Sequence, residues 1–251
     1  MHMSVKSLKQ LKRAVPRRVI FCIDLDNEMN ETMSPSADGG KVQCLMHSST
    51  RLQTALFLIK RFMHMALLLP SKDKFSIITM KDKAEMNMFF EDDQLLISEA
   101  IERLEATHYY DKFDTESLFN LIERNVDLSD KSLFTQVIVL YGRSETIPSL
   151  VEEDTYNRVR CSPNLTMDFV YIHQSPKHIP RCQQVFNFWC SLDSTKVKGW
   201  YYEFGHLGKS SFTRAMVQLI AHPLQRGDQM KMKMPIVSFY GDHSSVFDII
   251  E

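Results

Sequence analysis

Residues 18–28 read RVIFCIDLDNE: Arg18-Val19-Ile20-Phe21-Cys22-Ile23-Asp24, then Leu25-Asp26-Asn27-Glu28. An unbroken apolar run that stops on an acid is the pattern of a strand buried on both faces, as in a parallel sheet, with its carboxyl end opening on a polar site. Ligands of such sheets collect at the carboxyl ends of the strands, so Asp24, Asp26 and Glu28 occupy the position of greatest chemical interest. Carboxylates at i, i+2 and i+4 can hold a hard divalent cation through oxygen. Equally, they can cap a nearby helix or stay solvated.

Working outward, runs of the same kind recur at Gln136 to Tyr141 (QVIVLY) and Met167 to His173 (MDFVYIH). Lys74 to Met80 (KFSIITM) and Glu85 to Phe90 (EMNMFF) flank the polar turn Lys81-Asp82-Lys83, which predicts an antiparallel hairpin. Trp200 to His206 alternates like an edge strand. Helical patterns fall at Thr50 to Leu69, Asp93 to Ala106, Thr115 to Asn125, Ser149 to Arg160, Pro180 to Cys190 and Phe212 to Ala221, the last stopped by Pro223. Asp114 or Thr115 is the expected cap of the third. The alternation predicts an α/β fold: a doubly wound, mostly parallel, Rossmann-like sheet with one antiparallel hairpin strand and helices on both faces. The expected layout is a solvated basic arm over residues 1–17, one domain over 18–226 and a tail over 227–251. That acid-free arm also has the look of a mitochondrial presequence.

Composition narrows the function classes. The chain has 251 residues, 44% hydrophobic and 24% charged, which excludes a disordered or fibrous protein. Thirty basic against 31 acidic side chains leave a formal charge of −1, so no whole-molecule attraction to nucleic acid or anionic lipid is expected. The most apolar stretch, Leu52 to Leu69, carries Lys60, Arg61 and His64, the pattern of a buried amphipathic helix instead of a membrane span. Five cysteines without a CxxC pair suit a reducing compartment and buried thiols. Only 8 glycines and 9 prolines accompany 15 methionines, so long helices and adaptable packing surfaces are expected.

Two functional readings of the acids arise, a phosphatase and a metal-dependent ligand-binding domain. Asp24 and Asp26 resemble the D-x-D opening of haloacid-dehalogenase-type phosphatases, but Glu28 stands where Thr or Val belongs. Gly241-Asp242 and Asp248 resemble that family's last acidic motif with a gap one residue too long. The element order, hairpin included, resembles the von Willebrand factor A domain, whose metal site opens with D-x-S-x-S. Here Asp24 stands first, Asp26 and Glu28 replace both serines, Thr115 stands for the later Thr, and Tyr141-Gly142 replaces the last D-G. Added like charge and a lost far carboxylate make that metal site degenerate. His173 as a catalytic base lacks an accompanying nucleophile motif, and Gly205 to Ser210 lacks the spacing of a phosphate loop.

VIFCIDLD (19–26), FVYIH (169–173), Cys190-Ser191-Leu192-Asp193 and above all LIAHPLQR (219–226) resemble the A-domain-like adaptor family of the BRISC and BRCA-A deubiquitinase complexes, the Merit-forty family. The resemblance covers roughly residues 18–226 and implies a non-catalytic scaffold without a cofactor. It implies a BRE-type partner with ubiquitin-E2-variant folds. In the same assembly it implies an Abraxas-type scaffold and a zinc metalloprotease that cleaves lysine-sixty-three-linked ubiquitin chains. It also implies action in the cytoplasm and nucleus, in the DNA damage response and signalling. The vertebrate pattern's long disordered amino-terminal extension is not seen here, so partners recruited through it are not expected.

The ending His222-Pro223-Leu224-Gln225-Arg226 stops a helix and fixes the direction in which the chain leaves. Beyond it, residues 230–240 (MKMKMPIVSFY) alternate apolar and basic residues. Met232, Met234, Ile236, Phe239 and Tyr240, with residues 222–226, are the candidate partner contacts, adding a strand to a partner's sheet or laying anchors in a groove. The alternative is that the strip folds back on the chain's own sheet.

Overall fold

The computed structural model describes residues 15–33, 49–69, 72–150, 152–173, 179–204 and 209–231. Its centre is a six-stranded sheet: β1 (Arg17–Asp24), β2 (Lys74–Met80), β3 (Ala84–Glu91), β4 (Phe134–Tyr141), β5 (Leu165–Ile172) and β6 (Tyr201–Phe204). The strand order is β3-β2-β1-β4-β5-β6. Only β3 runs antiparallel, paired with β2 across the turn at Lys81 to Lys83, as the hairpin reading expects. β1, whose first apolar run announced the fold, lies centrally between β2 and β4.

The pleat sends alternate residues to two cores. Val19, Phe21 and Ile23 of β1 join Ile138 and Leu140 of β4 under α1 (Arg51–Leu67), α2 (Gln94–Glu102) and α6 (Lys209–Leu219). Ile20 and Cys22 join Val137, Val139 and Tyr141 under α3 (Thr115–Asn125), α4 (Glu153–Arg160) and α5 (Ile179–Ser191). Helix starts are set by their caps. Thr50 and Gln53 form a reciprocal capping box on α1, Asp93 accepts from Leu95 and Leu96 N–H on α2, and Asp114 accepts from Ser117 N–H on α3. Met29, Met63, Met80, Met167 and Met216 are buried, so these methionines fill core space.

Several expected boundaries move for identifiable reasons. The α2 helix ends at Glu102, short of Ala106, because the following residues are drawn toward β1: Ala106 O accepts from the Asn30 side chain and His108 O accepts from Asn27 N–H at 2.8 Å. The α4 helix starts at Glu153 and not Ser149, whose N–H donates to Phe113 O at 2.9 Å and whose hydroxyl accepts from Thr115 N–H. Arg17 does not belong to a solvated arm. It begins β1 with its side chain 2% exposed, bonded to Asp73 through Nη2 at 2.6 Å and to Gln136 through Nη1 at 2.9 Å. Cys22, Cys161, Cys182 and Cys190 are free thiols, and Cys161 is exposed, against the expectation that the thiols are buried. None of the described helices is long and apolar enough to cross a membrane.

Candidate functional site

The carboxyl ends of β1 and β4 meet because the strands are adjacent and parallel, with Ile23 opposite Leu140. Asp24, the last residue of β1, is completely buried. Its Oδ2 accepts from Gly142 N–H at 3.0 Å, and its Oδ1 accepts from Asp26 N–H at 3.1 Å. The same Oδ1 takes Nε and Nη2 of Arg143 at 3.1 and 3.0 Å. Asp26 caps the 3-10 turn Asn27–Asn30 by accepting from Glu28 N–H at 2.9 Å, and its other oxygen accepts from Tyr110 N–H at 2.6 Å. Both carboxylate oxygens of Glu28 accept from Ser144 N–H, at 3.1 and 3.0 Å. Burial lifts the Glu28 carboxyl above its ordinary range, against the pull of Ser144.

Arg143 is the residue the sequence reading missed. Its guanidinium is completely buried and its remaining donors reach the backbone: Nη1 to Lys112 O at 2.8 Å and Tyr110 O at 3.4 Å, Nη2 to Met80 O at 3.4 Å and Lys81 O. The rings of Tyr110, Phe113 and Tyr141 surround it, with centroids 5.4 to 5.6 Å from Cζ. Burial works against this charge, yet Asp24 holds the guanidinium above its ordinary pKa, so it stays protonated. The available signal was charge balance. A buried acid at a strand end requires a cation, and the basic residue next to Tyr141-Gly142 supplies it.

These residues do not fit a divalent ion. The carboxylate oxygens that would ligate it are bonded to N–H groups, and a guanidinium lies against Asp24 with Nε 3.9 Å from Asp26 Oδ2. Tyr141, standing where the far acid belongs, is buried and donates its hydroxyl to Thr146 O at 2.8 Å. The Thr115 hydroxyl is buried with no hydrogen-bond partner. Among the described residues no group of three or more His, Cys, Asp or Glu is placed to hold a metal. Nor does Asp24 suit the phosphatase reading, since a nucleophile must meet substrate and this carboxylate is sealed. His173 contacts Glu203 at 3.0 Å and packs at a tilt against the Tyr171 ring, centroids 4.6 Å apart. Gly205 to Gly208, Asp242 and Asp248 lie outside the described residues.

Gly142 allows the turn to close, because a Cβ there would lie 2.3 Å from Met29 Sδ. Arg51, also buried, ties the same turn to α1. It donates to Glu28 O at 3.3 Å and Gly142 O at 3.4 Å, and pairs with Glu31 at 2.9 Å.

The expected partner strip divides. Arg226 is not free for a partner: its side chain is 2% exposed, its Nη1 lies 2.7 and 2.9 Å from the Asp168 oxygens, and its Cζ sits 4.8 Å from the Trp200 ring. Pro223 is buried, and His222 packs on Phe134 while its Nδ1 accepts from Leu224 N–H. Leu224 and Gln225 are exposed. Gly227 O accepts from Trp200 Nε1, and the Gln229 amide pairs with both Tyr201 N–H and Tyr201 O at 2.9 Å, so the start of the tail lines the β6 edge. Met232, Met234, Ile236, Phe239 and Tyr240 lie outside the described residues.

No protein-family profile matches the chain. The Xenopus laevis protein named BRISC and BRCA1-A complex member 1 is 28% identical over 229 residues, 87% of this chain and 67% of that one. Its Homo sapiens namesake is 26% identical over 223 residues, 84% of this chain and 65% of that one. The chain is a homologue of these complex members. Among solved structures, a von Willebrand factor type A protein from Catenulispora acidiphila superposes with a TM-score of 0.54 at 14% identity, covering 84% of this chain and 43% of that one. BatB from Bacteroides thetaiotaomicron superposes at 0.52 with 13% identity, covering 83% and 99%. The fold is therefore von Willebrand A-like, as the sequence reading expects.

Proposed function

We propose that this chain is a non-catalytic adaptor subunit of a BRISC or BRCA1-A type assembly. It binds a BRE-type subunit and stabilises a deubiquitinase whose zinc metalloprotease, paired with an Abraxas-type scaffold, cleaves lysine-sixty-three-linked ubiquitin chains. Its setting is the cytoplasm and nucleus, in DNA damage signalling. The observation that carries this reading is the similarity to complex members of that name along 87% of the chain. The chemistry of the candidate site agrees: Asp24 is sealed, and Asp26 and Glu28 bond to backbone N–H groups, so the acids hold the turn.

The test is co-expression of the full chain with a BRE-type subunit, followed by size-exclusion chromatography. Co-elution is expected. Deleting residues 232–251, or replacing exposed Leu224 by Asp, should weaken it while the domain stays folded. The deletion begins at Met232 because Gly227 and Gln229 bond to Trp200 and Tyr201 at the sheet edge. Absence of co-elution by the full chain overturns the partner assignment. Turnover of a ubiquitin dimer or a phosphomonoester by the chain alone overturns the non-catalytic role.

A further inference from the structure

The loops at the carboxyl end of the sheet converge on one guanidinium. Arg143 spans four segments: Asp24 of β1, Met80 and Lys81 at the end of β2, Tyr110 and Lys112 of the loop before α3, and its own position after β4. An arginine side chain has five N–H bonds, and each here has an oxygen to point at. Asp24 is a completely buried carboxylate that, without Arg143, retains only neutral backbone donors. Asp26 faces the same guanidinium, its Oδ2 3.9 Å from Nε.

We propose that Arg143 is a covalently attached substitute for a divalent cation: it supplies the positive charge that binds these loops together, and makes the fold independent of metal. Truncating the side chain opens a vacancy walled by Asp24, bonded to Nε and Nη2, and by Asp26, whose Oδ2 lies 3.9 Å from Nε. Both carboxylates offer oxygen ligands of the kind hard divalent ions select. A magnesium or manganese ion is the expected occupant of that vacancy in the truncated protein.

Thermal unfolding of the full-length chain, with and without divalent ions, decides the matter. The native protein should show the same Tm in excess EDTA and in millimolar magnesium or manganese; a metal-dependent shift overturns the proposal. Arg143→Ala should unfold at lower temperature in EDTA and recover by about 5 °C or more when manganese is added well above its dissociation constant. Adding Asp24→Asn to Arg143→Ala should abolish that recovery. A folded Arg143→Ala that neither responds to metal nor binds manganese by electron paramagnetic resonance overturns the proposal. Should Arg143→Ala fail to fold, Arg143→Lys and Arg143→Gln separate charge from size. The lysine variant should keep a higher Tm than the glutamine variant and stay indifferent to metal, and equal losses overturn the proposal.

Discussion

At the carboxyl end of the sheet, Asp24 is neutralised by Arg143, 119 positions away. At the amino end, Asp168 is neutralised by Arg226, 58 positions away, and Arg17 by Asp73, 56 positions away. Both ends bury arginine–aspartate pairs, yet the geometry differs. The carboxyl-end guanidinium gathers loops and spends most of its donors on backbone carbonyls. The amino-end pairs are welded into one network, because Gln136 accepts from Arg17 at 2.9 Å and donates to Asp168 at 2.7 Å, while Asp168 also accepts from Trp200 N–H. One end resembles a metal corner with the ion replaced; the other is a clamp that fastens residues 219–226 to the sheet.

This contrast can be broken experimentally. Arg226→Ala strands a buried carboxylate and should cost about 3–5 kcal/mol by urea unfolding. Divalent metal should not recover that loss, whereas it should recover part of the loss in Arg143→Ala. Equal rescue at both ends would remove the distinction.

Two glycines sharpen it at smaller cost. A Cβ on Gly199, beside the amino-end clamp, would lie 1.8 Å from the backbone Met167 O, so Gly199→Ala should cost about 3 kcal/mol with no side chain able to give way. A Cβ on Gly142 meets only the Met29 side chain, so Gly142→Ala should cost about 1–2 kcal/mol. Combined with Met29→Ala, it should be less destabilising than the sum of the single changes. Additivity in that double-mutant cycle would show that the contact does not limit position 142.

The smallest effect is titration at the clamp. Burial, reinforced by the Arg17 charge, holds the His222 imidazole below its ordinary value of 6.5, against the pull of Asp73. The unfolded chain therefore takes up the proton first, so stability present above about pH 6.5 is lost as the pH falls below it. Tm should drop between about pH 7.5 and 5.5, and drop less in His222→Gln. Identical pH profiles for the two proteins would exclude His222 as the source.

The sheet was legible because its signals are local: apolar runs mark β1, β4 and β5, and a polar turn marks the hairpin. The acids of the candidate site were legible for the same reason. Their partner was not, since Asp24 and Arg143 meet only after β1 and β4 pair, and neither residue carries a local pattern that names the other. Arg226 stood out within LIAHPLQR, yet a surface role was the natural reading of a charged residue after a helix stop. The Asp168 that buries it interrupts an otherwise apolar strand, and that interruption was the overlooked signal. Capping of α3 was narrowed to Asp114 or Thr115, of which the structure selects Asp114, and was left open at Asp26, where the turn it starts is too short to show a helical period.

The clamp also bears on how the polypeptide is made. Asp168 sits in the amino-terminal half of β5, but the guanidinium that neutralises it belongs to residue 226, which leaves the ribosome 58 residues later. Until then the nascent sheet carries an uncompensated acid at a position that must be dry. Closure of the domain thus waits for the end of the LIAHPLQR segment to emerge, and a product cut short before Arg226 should be held by chaperones or degraded instead of accumulating as a smaller folded subunit.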